Sequence, residues 1–315
     1  MQHSKQRHVD TMRAIGLASI LTAASAFASG DMVRTEIHAV SRPETELGSR
    51  PLPVQEEEQA SAMALQRLYG SADGGDPVAM TRLGALFQQG IGVPQSYPEA
   101  LKWYLRAAEL GEAEAVNNIG SLYLTGLGVR QDYAEAIKWY QRAIDDGSLL
   151  AMGNMAKMYY FGLGVSRSYP EAAKWFRLAS ARGSASAMNS LGLMYDSGLG
   201  VEQDRGAAVT LLKQAARLGY GPSMANLGSM YEKGDGVEYS AVEAYAWMDA
   251  ALKAGIPPEA RDAIIYRLGA ISVRLNQQDL ALALKRAEEI TSSARAAEQA
   301  LPATGLGEPN IQLSH

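Results

Sequence analysis

Histidine and cysteine, which supply many catalytic bases, nucleophiles and metal ligands, are scarce in this 315-residue sequence. It has no cysteine, and its histidines stand only near the two ends of the chain, at His3, His8, His38 and His315. The serine acyl-transfer signatures Ser-x-x-Lys and Gly-x-Ser-x-Gly are also missing. The long central part of the chain therefore cannot form a Ser-His-Asp triad, a His-ligated metal site or a thiolate site. We predict no catalytic residue, no metal and no cofactor.

Evenly spaced carboxylates are a second candidate, for acid–base chemistry or metal binding. Each of these glutamates follows a Ser or Asp by three residues, and they are Glu99, Glu135, Glu171 and Glu243. A Ser/Asp-x-x-Glu pattern before an apolar run is typical of a capping box, in which both side chains satisfy backbone N–H groups of the first helical turn. Since the glutamates are at least 36 residues apart, we predict four helix N-termini rather than one active site.

Glycine-rich tetrapeptides of the form Gly-x-Gly-Val could indicate phosphate-binding loops. They occur five times, at residues 90–93, 126–129, 162–165, 198–201 and 234–237, always 36 residues apart. A phosphate-binding loop follows a strand and continues with Lys-Ser or Lys-Thr. These glycines follow a helical pattern and lack that continuation, so we predict turns that end helices.

Two further ladders of residues keep the same 36-residue step. Glycine recurs from Gly75 to Gly255. The tryptophans are Trp103, Trp139, Trp175 and Trp247, with Leu211 in the remaining slot. Three ladders in register indicate five copies of one repeat between residues 75 and 256. The chain is therefore predicted to be an all-α solenoid, in which every unit packs mainly on its neighbours.

Each repeat contains two segments of helical period. In the first repeat Ala79, Leu83 and Phe87 mark one apolar face, and Gly84 lies within that face. Glycine inside a helix costs about 1 kcal/mol relative to alanine, so its recurrence predicts the close approach of a neighbouring helix. The tryptophans lie on the apolar face of the second segment, which favours a core role over a stripe that stacks on sugars.

Residues 115–143 combine Ala-x-x-x-Ile-Gly-x-x-Tyr, Gly-x-Gly-Val and Tyr-x-Glu-Ala-x-Lys-Trp-Tyr-x-x-Ala. This combination resembles the Sel1-like repeat, a tetratricopeptide-related family, and the resemblance extends over residues 75–256. It implies a right-handed α-solenoid superhelix of antiparallel helix pairs. The fourth repeat departs from the pattern, with Arg205, Ala207 and Leu211 in place of Tyr, Glu and Trp. Its second helix is expected to be less firmly capped or adapted to a partner.

The segments outside the repeats are assigned from composition. Residues 1–28 have a charged start, a 15-residue apolar run and an Ala-x-Ala end. This is typical of a secretory signal peptide cleaved after Ala28, with a retained membrane anchor as the alternative. We predict a disordered linker at residues 29–55, a capping helix at 56–74, a capping helix pair at 257–297 and a disordered tail at 298–315. A periplasmic or secreted location follows.

The resemblance also implies a binding groove. In the related tetratricopeptide solenoids the first helix of each repeat lines a concave face that holds extended peptides. Transferred by register, the groove residues are Thr81, Gln88, Gln89, Asn117, Ser121, Lys157, Tyr160, Phe161, Asn189, Asp196, Glu232 and Lys233. We predict that Tyr160 and Phe161 anchor a partner and that Asn117 and Asn189 clamp a peptide main chain.

These observations favour an exported, non-enzymatic scaffold or adaptor that binds a protein or peptide in its groove. The resemblance suggests a regulator of envelope signalling, motility or polysaccharide export. A peptidoglycan- or glycan-binding module is the first alternative, and a β-lactam-binding or β-lactam-hydrolysing enzyme, an activity described for some relatives, is the second. The formal net charge of −5, without a basic stripe, argues against a nucleic-acid partner.

Overall fold

The computed structural model describes the backbone of residues 54–300 and the side chains of residues 62–297. Within this range the chain forms thirteen α-helices and no strand. They are α1 (Val54–Asp73), α2 (Pro77–Gln89), α3 (Tyr97–Glu109), α4 (Ala113–Thr125), α5 (Tyr133–Asp145), α6 (Leu149–Phe161), α7 (Tyr169–Ala181), α8 (Ala185–Ser197), α9 (Arg205–Arg217), α10 (Gly221–Lys233), α11 (Ala241–Ala254), α12 (Pro258–Ser272) and α13 (Gln277–Ala300). The predicted signal peptide, and nearly all of the predicted linker and tail, lie outside the described residues. None of the described helices is long and apolar enough to span a membrane.

The chain divides into two compact units, Met1–Ala151 and Met152–His315, with the boundary inside α6. In the first unit α2 packs against α3 and α4 against α5, and α3 also packs on α4. In the second unit α8 packs against α9 and α10 against α11, and α9 also contacts α10. Because a short loop connects the two helices of each pair, the pairs are antiparallel hairpins. The predicted all-α repeat architecture is confirmed.

The first helix of a repeat ends at a glycine in the left-handed conformation. Gly90 has a φ of 72° and donates its N–H to the carbonyl of Leu86 at 2.8 Å. The corresponding glycines of the second, fourth and fifth repeats make the same bond. A Cβ atom would be strained in this conformation, which explains the choice of glycine. The prediction that the Gly-x-Gly-Val segments end helices is confirmed.

The second helix of the first repeat begins with only half of the predicted capping box. The Ser96 hydroxyl accepts the N–H of Glu99 at 3.3 Å. The return bond is absent, because the N–H of Ser96 donates to the carbonyl of Phe87 in α2 at 2.8 Å. The Glu99 carboxylate pairs instead with Lys102 at 2.5 Å. The second and third repeats share this arrangement. The prediction that both side chains cap the helix was wrong for the glutamates.

The fourth repeat keeps its cap in spite of its unusual sequence. The Asp204 carboxylate accepts the N–H of Ala207 at 2.9 Å, so α9 begins with a side-chain cap like the other second helices. Arg205, which replaces a tyrosine, lies 3.5 Å from the Asp196 carboxylate and 3.7 Å from that of Asp235. The expectation of a weak cap was wrong. Arg205 instead forms ion pairs with Asp196 and Asp235.

Glycines within the first helices leave room for large side chains of the second helices. A Cβ atom on Gly84 would lie 2.5 Å from Cε1 of Tyr104, and one on Gly120 would lie 2.8 Å from the ring of Tyr140. Both tyrosines are buried, and burial raises the pKa of their hydroxyls. The close approach predicted from the recurring glycine is confirmed.

The last two helices cover the end of the second unit. Ile264, Leu268 and Ile271 of α12 pack with Ala244 and Met248 of α11. Helix α13 lies against α11 and α9. Apolar side chains at the end of the last repeat are thereby removed from water, which is the role of a terminal cap in a repeat array.

Candidate partner-binding surface

Two predicted groove residues of the first unit are packed inside the helix array. Thr81 and Asn117 are each 3% exposed. The Thr81 hydroxyl donates to the carbonyl four residues earlier, at 2.9 Å. Gln88, Gln89 and Ser121 are half-buried. We therefore keep only Gln88, Gln89 and Ser121 as candidate partner contacts in the first unit.

Gln88 and Ser121 also hold the buried tyrosines of the second helices. The Tyr104 hydroxyl donates to Oε1 of Gln88 at 2.9 Å. The hydroxyls of Ser121 and Tyr140 lie 3.2 Å apart. A buried hydroxyl without a partner costs about 1–3 kcal/mol, so these two groove positions have a structural role besides any contact with a partner.

Asn189 in the second unit joins two repeats. It is 9% exposed, and its Oδ1 accepts hydrogen bonds from Oγ of Ser223 at 3.0 Å and from Nδ2 of Asn226 at 2.9 Å. A peptide main chain could use this amide oxygen only by replacing one of those bonds. The structure thus places Asn189, like Thr81 and Asn117, in packing within the array.

The two acidic groove residues of the second unit are paired with arginines. Asp196 lies 3.5 Å from Nε of Arg205. Glu232 accepts hydrogen bonds from Nε of Arg267 at 3.0 Å and from Nη2 of the same side chain. Lys233, at the end of α10, is exposed. Neither carboxylate is therefore an open site for a cation.

Three aromatic rings of the second unit form a cluster. The centroid of Tyr160 lies 4.9 Å from that of Phe161 and 5.1 Å from that of Tyr169, in edge-to-face geometry. The guanidinium of Arg167 lies 5.6 Å from the centroid of Tyr169. All three rings are half-buried. We call Tyr160, Phe161 and Tyr169 the aromatic cluster; it offers partly exposed rings that already hold one another in place.

Tyr169, in the aromatic cluster, and Arg167, beside it, were not predicted as groove residues from the sequence. Tyr169 begins α7, and Arg167 precedes it in the loop. The sequence does single out Arg167, because three other repeats have a glutamine at the corresponding position. Those glutamines donate through Nε2 to a carbonyl of the preceding helix, and they are Gln95, Gln131 and Gln203.

Lys157 lies one turn before the aromatic cluster on α6. Its side chain is half-buried, and it has no ion pair or hydrogen bond with any residue in the described part of the chain. Removal of the ammonium from water disfavours its charged form and lowers the pKa of Lys157 to about 8. Within residues 62–297, this ammonium therefore has no carboxylate as a counter-ion.

Replacing Lys157 with methionine should raise the free energy of unfolding at pH 7 by about 1–2 kcal/mol, because the half-buried ammonium is costly in the folded state. The folded-state pKa is about 8 and the ordinary value is 10.5. Between these values the unfolded chain binds more protons, so wild-type stability rises with pH there. The difference in free energy of unfolding between the variant and wild type should reach its full value below pH 8 and vanish near pH 10.5. Urea unfolding of both proteins across this range measures it, and a difference that stays constant with pH would contradict it.

Two tryptophans of the first unit do not form a free stripe for sugars. Trp103 and Trp139 are half-buried, and the guanidinium groups of Arg106 and Arg142 lie 4.4 Å and 5.5 Å from their ring centroids. A cation therefore covers one face of each ring. In the second unit Trp247 is buried in the core, as predicted for this ladder.

A metal site does not emerge from the side chains at residues 62–297. No group of three or more His, Cys, Asp or Glu in that range could hold an ion. What this part of the chain brings together is instead a surface of half-buried aromatic rings beside a lysine. Such a surface suits contact with another molecule.

Comparison with known proteins identifies the repeats. The model of the Sel1 repeat matches five successive segments, residues 77–112, 113–148, 149–184, 185–220 and 221–256. These segments follow the 36-residue step of the sequence and cover more than half of the chain. No curated protein sequence matches the chain.

The solved structures that resemble this one include the following two proteins. A Sel1 repeat protein from Oxalobacter formigenes is 28% identical, with a TM-score of 0.58, over 75% of this chain and 99% of that protein. The protective antigen c5321 of uropathogenic Escherichia coli, which displays an SLR fold, is 26% identical, with a TM-score of 0.61. That match covers 84% of this chain and 54% of the antigen, so the chain spans about half the length of that relative. From the five matched repeats and the shared fold, the chain belongs to the Sel1 repeat family.

Proposed function

We propose that this protein is an exported, non-enzymatic scaffold that binds another protein or a peptide through the second unit. Sel1 repeat proteins are generally protein-interaction scaffolds. The observation that carries the proposal is the aromatic cluster beside Lys157, because the third repeat departs there from the others. At the positions of Tyr160 and Phe161 the first repeat has Gln88 and Gln89. Aromatic side chains are enriched at the core of protein interfaces, and tyrosine is enriched among the residues that dominate the binding energy.

The cellular role that fits this proposal is that of an adaptor in the cell envelope. The charged start, the apolar run and the Ala-x-Ala end of residues 1–28 support export. Regulation of envelope signalling, motility or polysaccharide export are roles in which such an adaptor would act. Cell fractionation with N-terminal sequencing tests export, with Ser29 expected as the first residue of the mature chain. A full-length chain in the cytoplasm would overturn this part.

Photo-crosslinking in the native cells tests the binding surface. With a benzoylphenylalanine at position 161, we expect one dominant adduct to a partner protein. The control carries the same group at Leu178 on α7, which is 41% exposed and lies outside the aromatic cluster. Equal adducts at the two positions, or none at position 161, would contradict the proposal. Incubation of the purified protein with peptidoglycan sacculi separates the glycan-binding alternative.

A double variant tests the contribution of the rings. Tyr160→Gln with Phe161→Gln introduces the residues that the first repeat carries at these positions, which this fold accepts. We expect the affinity for the crosslinked partner to fall at least about thirtyfold, since two interface anchors are lost. The thermal midpoint should change far less than the affinity. Retention of wild-type affinity would remove the aromatic cluster from the interface.

A further inference from the structure

An open notch lies on the same helix as the aromatic cluster. Three other repeats carry a buried polar side chain at the corresponding position, Thr81, Asn117 or Asn189. The third repeat has Gly153 there, and a Cβ atom built on it would meet no atom within 4 Å. The missing side chain therefore leaves space at this point of α6, and no neighbouring atom has moved in to fill it.

Lys157 lies one helical turn after this notch, on the same face of α6. The corresponding residues of the other repeats are uncharged: Ala85, Ser121, Leu193 and Ser229. Several lysines and arginines of the repeats are paired with carboxylates. On the second helices, for example, Lys102, Lys138 and Lys174 each pair with a glutamate. Lys157 has no such partner within residues 62–297.

A half-buried cation without a counter-ion costs free energy, and a protein recovers that cost when a ligand supplies the anion. The charge of Lys157 selects a negative group. Gly153, one turn earlier, is partly exposed and has open space where its side chain would be. One turn further on, Tyr160 and Phe161 offer apolar ring surface. The three features follow one another along a single helix face, as the side chains of an extended peptide would require.

We propose that Gly153 and Lys157 form a carboxylate-binding subsite for an acidic residue of an extended partner segment, whose neighbouring apolar side chain packs on the aromatic cluster. The inference rests on the proposed function and specifies its partner chemistry. The ammonium of Lys157 donates to the carboxylate, and the absent side chain of Gly153 lets the acidic group approach the helix. The second repeat closes the corresponding position with Asn117.

Selection from a phage-displayed library of random dodecapeptides tests this subsite. The purified wild-type protein is the bait, and Lys157→Gln is the parallel bait. We expect wild type to enrich peptides with Asp or Glu beside an aromatic or large aliphatic residue, and Lys157→Gln to lose the acidic preference. Enrichment of peptides without an acidic residue would overturn the subsite but leave the proposed function intact. Recovery of no peptide would overturn the subsite, and the crosslinking result would then decide the function separately.

Calorimetry on the most enriched peptide supplies the quantitative test. Its Glu→Gln or Asp→Asn version should bind wild type at least about tenfold more weakly, and the same change should have little further effect on Lys157→Gln. Equal losses in both proteins would show that Lys157 does not contact the carboxylate. The bound carboxylate could also be the peptide's C-terminal one. Amidation of the C-terminus removes only that carboxylate and so distinguishes it from an Asp or Glu side chain.

Two variants separate the contribution of the Lys157 charge from that of the space at Gly153. Gly153→Asn places in the notch the side chain that Asn117 and Asn189 carry, and it should weaken the binding of the acidic peptide at least about tenfold. The thermal midpoint should not fall, because the space is open. Lys157→Arg keeps the positive charge and should retain binding within a few-fold. Unchanged affinity of Gly153→Asn would exclude the notch from the subsite.

Discussion

Gly200→Ala should lower the free energy of unfolding by about 3 kcal/mol or more. Gly200 is the second glycine of the loop after α8 and has a φ of 70°. A Cβ atom there would lie 2.3 Å from the carbonyl carbon of Tyr169 and 2.6 Å from the nitrogen of Pro170. These are backbone atoms at the start of α7, where Ser168 caps the helix. They cannot withdraw without disturbing that cap.

The matched control for this change is Gly92→Ala. Gly92 has a φ of 69°, which is nearly the same, but a Cβ atom on it would meet nothing within 4 Å. Alanine at Gly92 should therefore cost only the backbone strain, about 1 kcal/mol. The difference between the two variants in urea or thermal unfolding isolates the contact between repeats. Equal losses would mean that the loop can move away from α7 at no cost.

Gly84→Ala should lower the free energy of unfolding by about 2 kcal/mol net. The added methyl group would lie 2.5 Å from Cε1 of Tyr104. That ring is 1% exposed, and its hydroxyl donates to Gln88, so the ring has no free direction in which to move. Overpacking therefore exceeds the gain of about 1 kcal/mol that alanine brings to a helix.

Gly153→Ala is the control in which the helix preference acts alone. Because a Cβ atom at Gly153 meets nothing within 4 Å, this variant should gain about 0.5–1 kcal/mol. In Gly84→Ala, the additional change Tyr104→Leu should recover part of the loss. The fourth repeat has Leu212 at this position, and a Cβ atom on Gly192 would lie no closer than 3.2 Å to it. Equal effects of alanine at Gly84 and Gly153 in denaturant unfolding would contradict the packing explanation.

Much of the architecture could be predicted because its causes are local. A helix of period 3.6, a left-handed glycine at its end and a hydroxyl or carboxylate at its start are each specified by a few adjacent residues. The structure places these features where the residue ladders predict them, as at Gly90 and Ser96. The Glu99 side chain does not cap the helix, because the N–H of Ser96 donates instead to the carbonyl of Phe87 in the preceding helix.

The candidate site was only partly predictable. Register on the first helix identified Lys157, Tyr160 and Phe161, since a helix places residues three and four apart on one face. Register could not show that Asn189 is covered, because Ser223 and Asn226, which bond to it, belong to the next repeat. Whether a residue on a helix face is open to a partner depends on the element packed beside it.

The sequence by itself determined that this protein is a stack of 36-residue helix pairs with glycine at each turn, because a repeat signals itself through identical local requirements. Only the tertiary structure decided which of the residues that depart from the repeat pattern are bonded or packed inside the fold and which remain available to a partner. Arg205 departs from the pattern and is satisfied by Asp196 and Asp235. Gly153 and Lys157 also depart from it, and they leave a notch and an unpaired cation among the described residues. The physical reason is that compensation between residues distant in sequence becomes visible only when their side chains are placed in space.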